Sequence, residues 1–169
     1  VNNTSEVKKI GNIELKGNKS ELIFDLQGEE QEVHKVIIDS LDGNSSFTIN
    51  GNGILVIYVN NYIKLNSVSL INDPEDLLIV LNEGAEFNLS GGTPTEFNGY
   101  IYGPFPDTKI TFNGKYNING AFISNEYKET PSFDTENKNY YPHIYPDVLE
   151  GLNVGREVEY GFEFKGIIE

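Results

Sequence analysis

The apolar triplets Ile57-Tyr58-Val59, Ile79-Val80-Leu81, Ile101-Tyr102-Gly103 and Phe122-Ile123-Ser124 begin 22, 22 and 21 residues apart. A second series trails them. Ile63/Leu65, Phe87/Leu89 and Ile110/Phe112 recur after 24 and 23 residues, six to nine residues behind their triplets. Two strand signals in every ~22 residues are the beat of a β-solenoid, whose coils must present the same inward positions to one another. The beat extends backward through Val36-Ile37-Ile38 with Phe47/Ile49, and through Ile13/Leu15 with Leu22-Ile23-Phe24. A β-sandwich also repeats strands, every 8–12 residues or about that, with Gly and Asn at its turns. Here, however, the repeating unit is a pair of strands, and Asn or Ser recurs just after them at Asn60, Asn66, Asn82, Ser90, Asn113 and Asn125. Short polar side chains there satisfy backbone groups at corners and tolerate left-handed conformations. The expected fold is therefore all-β, a right-handed parallel β-helix in which Ile57, Ile79, Ile101 and either Ile123 or Phe122 stack in one column.

Other patterns agree. No window of helical length keeps apolar residues at i, i+3, i+4 and i+7 without interruption by Gly, Pro or Asn pairs. Asn-Gly occurs at Asn50-Gly51, Asn52-Gly53, Asn98-Gly99, Asn113-Gly114 and Asn119-Gly120, beside short β-prone runs, and each reads as a turn between strands. From about Glu126 the pattern changes. Tyr127, Tyr140, Tyr141 and Tyr145 with Pro131, Pro142 and Pro146 predict an irregular segment lying against the flank or end of the stack. Val158, Tyr160, Phe162 and Phe164 alternate again and predict a final strand that caps an exposed edge.

At 169 residues, this is one domain, residues 1–169, large enough to fold on its own core. The chain holds no Cys, which excludes thiol nucleophiles, zinc knuckles, iron–sulfur ligation and disulfides. Its 12 basic against 26 acidic residues give a net charge of −14, which repels nucleic-acid phosphates and anionic membrane surfaces. The chain opens at Val1 and contains no Met, as expected of a piece of a longer product.

Candidate chemistry is sparse. His34 and His143 have no partner at metal-ligand spacing, and the nucleophile elbow, the phosphate-cradling loop and the dinucleotide fingerprint are missing from the sequence. Asp73-Pro74-Glu75-Asp76 and Asp39-Ser40-Leu41-Asp42-Gly43 gather carboxylates that are candidate calcium ligands. The first has Pro in its middle and the second lacks the further ligands of a calcium loop, so both read as solvated acids. A glycan-cleaving β-helix needs paired carboxylates in register on adjacent coils. Asn60, Asn82, Pro104 and Asn125 follow the triplets instead. The expectation is thus no catalytic residue, no cofactor and no metal. Tyr58, Tyr62, Tyr100 and Tyr102 are candidates to stack on sugars or to form a half-exposed ladder.

One resemblance adds to this reading. Gly53 to Val59, Leu77 to Gly92, Phe97-Asn98-Gly99-Tyr100-Ile101-Tyr102-Gly103-Pro104, Asn113-Gly114 and Ile118-Asn119-Gly120-Ala121-Phe122-Ile123 resemble the β-helical C-terminal region of PilX-like, type IV pilus-associated proteins. The likeness covers about residues 50 to 125 and the final strand. The usual Ala before Pro104 is Gly103, and Ile167 stands where the family commonly ends near a Trp. The resemblance implies an N-terminal apolar helix upstream, packed in a pilus core, and a non-enzymatic extracellular head acting in pilus assembly, tip presentation or adhesion. It also implies other pilus subunits as partners. The acidic domain alone is expected to be soluble and monomeric. The competing expectation is a cell-envelope carbohydrate-binding adhesin or a glycan-active β-helix.

Overall fold

In the computed structural model, residues 7–15, 20–27, 32–42, 46–70 and 76–129 are described, and every element among them is a strand or a short connection. The strands are β1 (Lys8–Glu14), β2 (Glu21–Leu26), β3 (Val33–Asp42), β4 (Ser46–Gly51), β5 (Ile54–Leu65), β6 (Ser67–Leu70), β7 (Leu77–Leu81), β8 (Glu86–Gly103), β9 (Lys109–Ser124) and β10 (Glu126–Glu129). All ladders are parallel. One sheet runs β1-β3-β5-β7-β8-β9-β10 and the other β2-β4-β6, so the first six strands alternate between sheets. The chain is a β-solenoid.

The 22-residue beat is the pairing register. Val36 pairs with Ile57, Ile57 with Ile79, Ile79 with Ile101 and Ile101 with Phe122. Phe122, not Ile123, continues the column. Ile123 is one residue on, therefore on the opposite face of the strand, and is 46% exposed. The trailing series forms a second column, Ile13–Leu41–Ile63–Phe87–Ile110–Tyr127. β5 serves both, pairing with β7 through Leu55–Val59 and with β8 through Tyr62–Leu65. The register shift between Ile38 and Ser40 marks where the larger sheet turns from one side to the next.

The core lies inside the coil. Phe87, Phe97, Phe112, Ile57, Ile63, Leu65 and Leu77 are fully buried, each worth about 1.5–3 kcal/mol of apolar burial. Phe87 is an aromatic hub, with ring centroids 5.6 Å from Phe97 and 6.2 Å from Phe112, both edge-to-face.

Three sequence readings are corrected. The two-strand unit omits a third side: Leu22-Ile23-Phe24 pairs with Phe47-Thr48-Ile49, which pairs in turn with Val68-Ser69-Leu70. Phe47/Ile49 thus belongs to the smaller sheet, and Leu41 takes the place expected for it ahead of Ile63. Second, Asn98-Gly99, Asn113-Gly114 and Asn119-Gly120 lie within β8 and β9 instead of separating strands. The glycines have positive φ, as turn glycines do. In a solenoid, though, the bend turns a corner while the next coil keeps pairing through it, as in Asn98↔Asn119 and Gly99↔Gly120. Third, Glu126–Glu129 is not irregular but extends the stack as β10, with Tyr127 opposite Ile110. The remainder of the Tyr/Pro-rich segment, His143 and the expected final strand from Val158 lie outside the described residues.

Candidate functional site

Strand alternation gives the central coils a second apolar face, pointing away from the core. Successive pairs define two outward columns, Lys35–Val56–Leu78–Tyr100–Ala121 and Ile37–Tyr58–Val80–Tyr102–Ile123. Val56, Leu78 and Val80 form a buried cluster separate from the main core, with Val33, Ile54, Tyr58, Tyr100 and Tyr102 packed around it. Three of the four tyrosines singled out from sequence therefore share one face. Burial pushes the Tyr58 phenol above its ordinary range. Tyr102 meets Phe105 edge-to-face at 6.3 Å. Tyr62 sits apart, beyond the corner, where desolvation, Asp42 and Glu14 raise its phenol.

The sequence reading missed Val56, Leu78 and Val80. Their signal was present in the unbroken apolar runs Ile54–Val59 and Leu77–Leu81, since a strand covered on both faces loses its alternation.

Beside this face run polar ladders. Asn60 Nδ2 donates to Asp39 Oδ1 at 2.6 Å, and Asn82 Nδ2 donates to Asn60 Oδ1 at 2.6 Å. Asn113 Nδ2 donates to Asn88 Oδ1 at 3.2 Å, and Ser90 Oγ to Asn66 Oδ1 at 3.4 Å. Lys9 approaches Asp39 at 3.7 Å. The sequence expected these side chains to satisfy backbone groups and to take left-handed conformations; the bonds of Asn60, Asn66, Asn82, Ser90 and Asn113 instead join side chain to side chain from coil to coil, and none of these residues has a positive φ. A second corner is fixed by buried Thr108, whose hydroxyl reaches the carbonyls of Gly103 and Phe105 and accepts the Asn125 N–H at 3.2 Å.

Among the described residues, the acidic candidates Asp39, Asp42 and Asp76 do not gather into a metal-holding group. Asp39 serves the ladder, Asp42 ends β3 beside Tyr62, and Asp76 directly precedes β7. Asp73 and Glu75 lie outside the described residues. Among the described residues, no group of three or more His, Asp or Glu is placed to hold a metal. His34 lies in β3 opposite Leu55, with Nε2 buried against Gly53.

Residues 11–138 match the model of a family described as Domain of unknown function (DUF7305). The chain belongs to that family. The match spans the described stack of the DUF7305 domain from Gly11, within β1, through β10. No curated protein and no solved structure matches it.

Proposed function

We propose that this DUF7305 domain is the non-enzymatic extracellular head of a pilin-like or type IV pilus-associated protein, acting in pilus assembly, tip presentation or adhesion. One observation carries the reading. The residues on which the resemblance rests occupy equivalent places on adjacent coils: Gly99 opposite Gly120, Tyr100 opposite Ala121, Ile101 opposite Phe122. The residues that resemble PilX-like proteins thus lie in the packing repeat of this chain's own stack, which is what supports the reading. The mechanism is display. Each coil is held by its neighbours, giving a stiff body that presents corner loops away from its attachment. Partners are other pilus subunits. Fractionation of cells expressing the full-length gene tests this: the product belongs with sheared filaments or membranes. A full-length product free in the medium as a soluble monomer overturns it.

A second reading, a carbohydrate-binding adhesin, draws support from Tyr58, Tyr100 and Tyr102 sharing one face. Its test is a glycan-binding screen of the wild type against Y58A, Y100A and Y102A. Binding lost in these variants supports it, and no binding by the wild type removes it.

A further inference from the structure

The five Asn-Gly pairs share a reactivity that the packing of the stack distributes unevenly. An asparagine followed by glycine can close on itself: the glycine nitrogen attacks the asparagine Cγ, ammonia leaves, and a five-membered succinimide forms. Water then opens the ring at either carbonyl, giving aspartate or isoaspartate. Glycine has no Cβ to crowd the attacking nitrogen. What decides the rate among such pairs is whether the backbone is free to carry that nitrogen to Cγ.

Four of the pairs are held in ladders. Asn98-Gly99 lies opposite Asn119-Gly120, Asn113-Gly114 opposite Ser90-Gly91, and Asn50-Gly51 opposite Asp25-Leu26. Ladder pairing fixes the ψ of each asparagine, and with it the direction of the nitrogen that follows. Asn113 is held twice, since its Nδ2 also donates to Asn88 Oδ1 at 3.2 Å. Asn52-Gly53 stands apart. It lies between β4, which ends at Gly51, and β5, which begins at Ile54, and no ladder among the described residues includes it. Asn52 is exposed to the water that the second step consumes. Asn119 is exposed as well, so the contrast rests on pairing and not on access to solvent.

The far side of this corner is fixed. Gly53 is buried with φ +115°, and a Cβ there would lie 2.7 Å from the Glu32 carbonyl oxygen. The Ile54 N–H donates to that same carbonyl at 2.8 Å. Asn52 is thus the adjustable link between two anchored strands. An isoaspartyl product, whose backbone runs through Cβ, would lengthen that link by a methylene.

We propose that Asn52 is a site of spontaneous modification, converted in the folded chain to aspartate and isoaspartate, while the ladders protect Asn50, Asn98, Asn113 and Asn119. The reaction breaks the amide C–N bond of the side chain, consumes water and releases ammonia, which takes up the proton of the new acid. It needs no oxidant and no enzyme, and it adds a negative charge to the net −14. The inference is independent of both the pilus and the carbohydrate readings.

The test incubates the full 169-residue chain at mildly alkaline pH and follows each pair by peptide mapping, with fragmentation that tells aspartate from isoaspartate. The same chain in guanidinium chloride supplies the rate of each pair without the fold. Asn52 should react in the folded chain within a few-fold of its unfolded rate, and the other four should slow many-fold. Reaction of Asn50, Asn98, Asn113 or Asn119 as fast as Asn52, or protection of Asn52 equal to theirs, overturns the proposal. N52Q should abolish the product on this corner, because the six-membered ring of glutamine closes far more slowly. Persistence of the product on the N52Q peptide would place the reaction at Asn50 and overturn the proposal as well.

Discussion

β1 and β7 are parallel strands of one sheet, yet one is almost bare and the other is wholly enclosed. In β7 all five residues are buried, while no β1 side chain is. β1 pairs with β3 through six residues, so the lack of burial does not come from a lack of backbone partners. It comes from what the strand carries and where it stands. β1 sits at the end of the sheet, its register slips around Gly11, and Lys8 and Lys9 occupy positions that the next coil fills with Val36 and Ile37. β7 has strands on both sides and apolar residues on both faces. Pairing aligns the coils, but stability comes from side chains with neighbours above and below, as in a one-dimensional array.

This contrast can be broken most forcefully at its centre. Phe87→Ala should cost about 3–5 kcal/mol in urea unfolding, because it leaves a cavity facing Phe97 and Phe112. A loss below about 1 kcal/mol would mean that the central coils do not form one cooperative core. Gly120→Ala comes next, at about 1–3 kcal/mol for its left-handed backbone alone. Gly120 has φ +142°, and a Cβ there would lie 1.8 Å from the Gly99 carbonyl oxygen, so thermal melts should show a larger drop than for Gly84→Ala, where nothing lies within 4 Å. Asn60→Ala removes a middle link of the polar ladder and should cost about 1–3 kcal/mol, since Asp39 and Asn82 both lose a partner. Ile10→Ala, on the bare strand and 45% exposed, should change stability by less than about 0.5 kcal/mol.

The smallest effect sharpens the contrast without mutation of the core. Tyr58 and Tyr62 hold their protons more tightly folded than unfolded, so their contribution is complete below the ordinary tyrosine pKa and is lost as pH rises through their raised values. An ultraviolet titration should show a late phase above the ordinary tyrosine range, and Tyr58→Phe and Tyr62→Phe should each remove part of it.

What the sequence revealed follows this same division. The central columns were legible because a coil with neighbours on both sides must repeat its inward residues, so Ile57, Ile79 and Ile101 keep time. The second sheet was misassigned: Leu22-Ile23-Phe24 and Phe47/Ile49 were read as strand signals of the trailing series, and their third partner, Ser67–Leu70, is only four residues long. The outward cluster was missed because Leu77–Leu81 is apolar throughout, so no alternation separates the face toward the core from the face away from it. Asn50-Gly51 and Asn52-Gly53 do fall at the junction of β4 and β5, whereas Asn98-Gly99, Asn113-Gly114 and Asn119-Gly120 were misread, because a positive φ also occurs inside a solenoid strand and only the partner strand tells the two apart.

Asp39 gives the amide ladder a direction. A carboxylate can only accept, so Asn60 must turn its amino group toward Asp39 and its oxygen toward Asn82, which must then donate. One acid thereby orients two amides on successive coils. The donors of Asn60, Asn82, Ser90 and Asn113 all belong to later segments of chain than their acceptors. A polypeptide delivered N-terminus first, by synthesis or through a narrow export pore, thus brings each new donor to an acceptor already in place, and the stack can zip closed in the order in which it emerges.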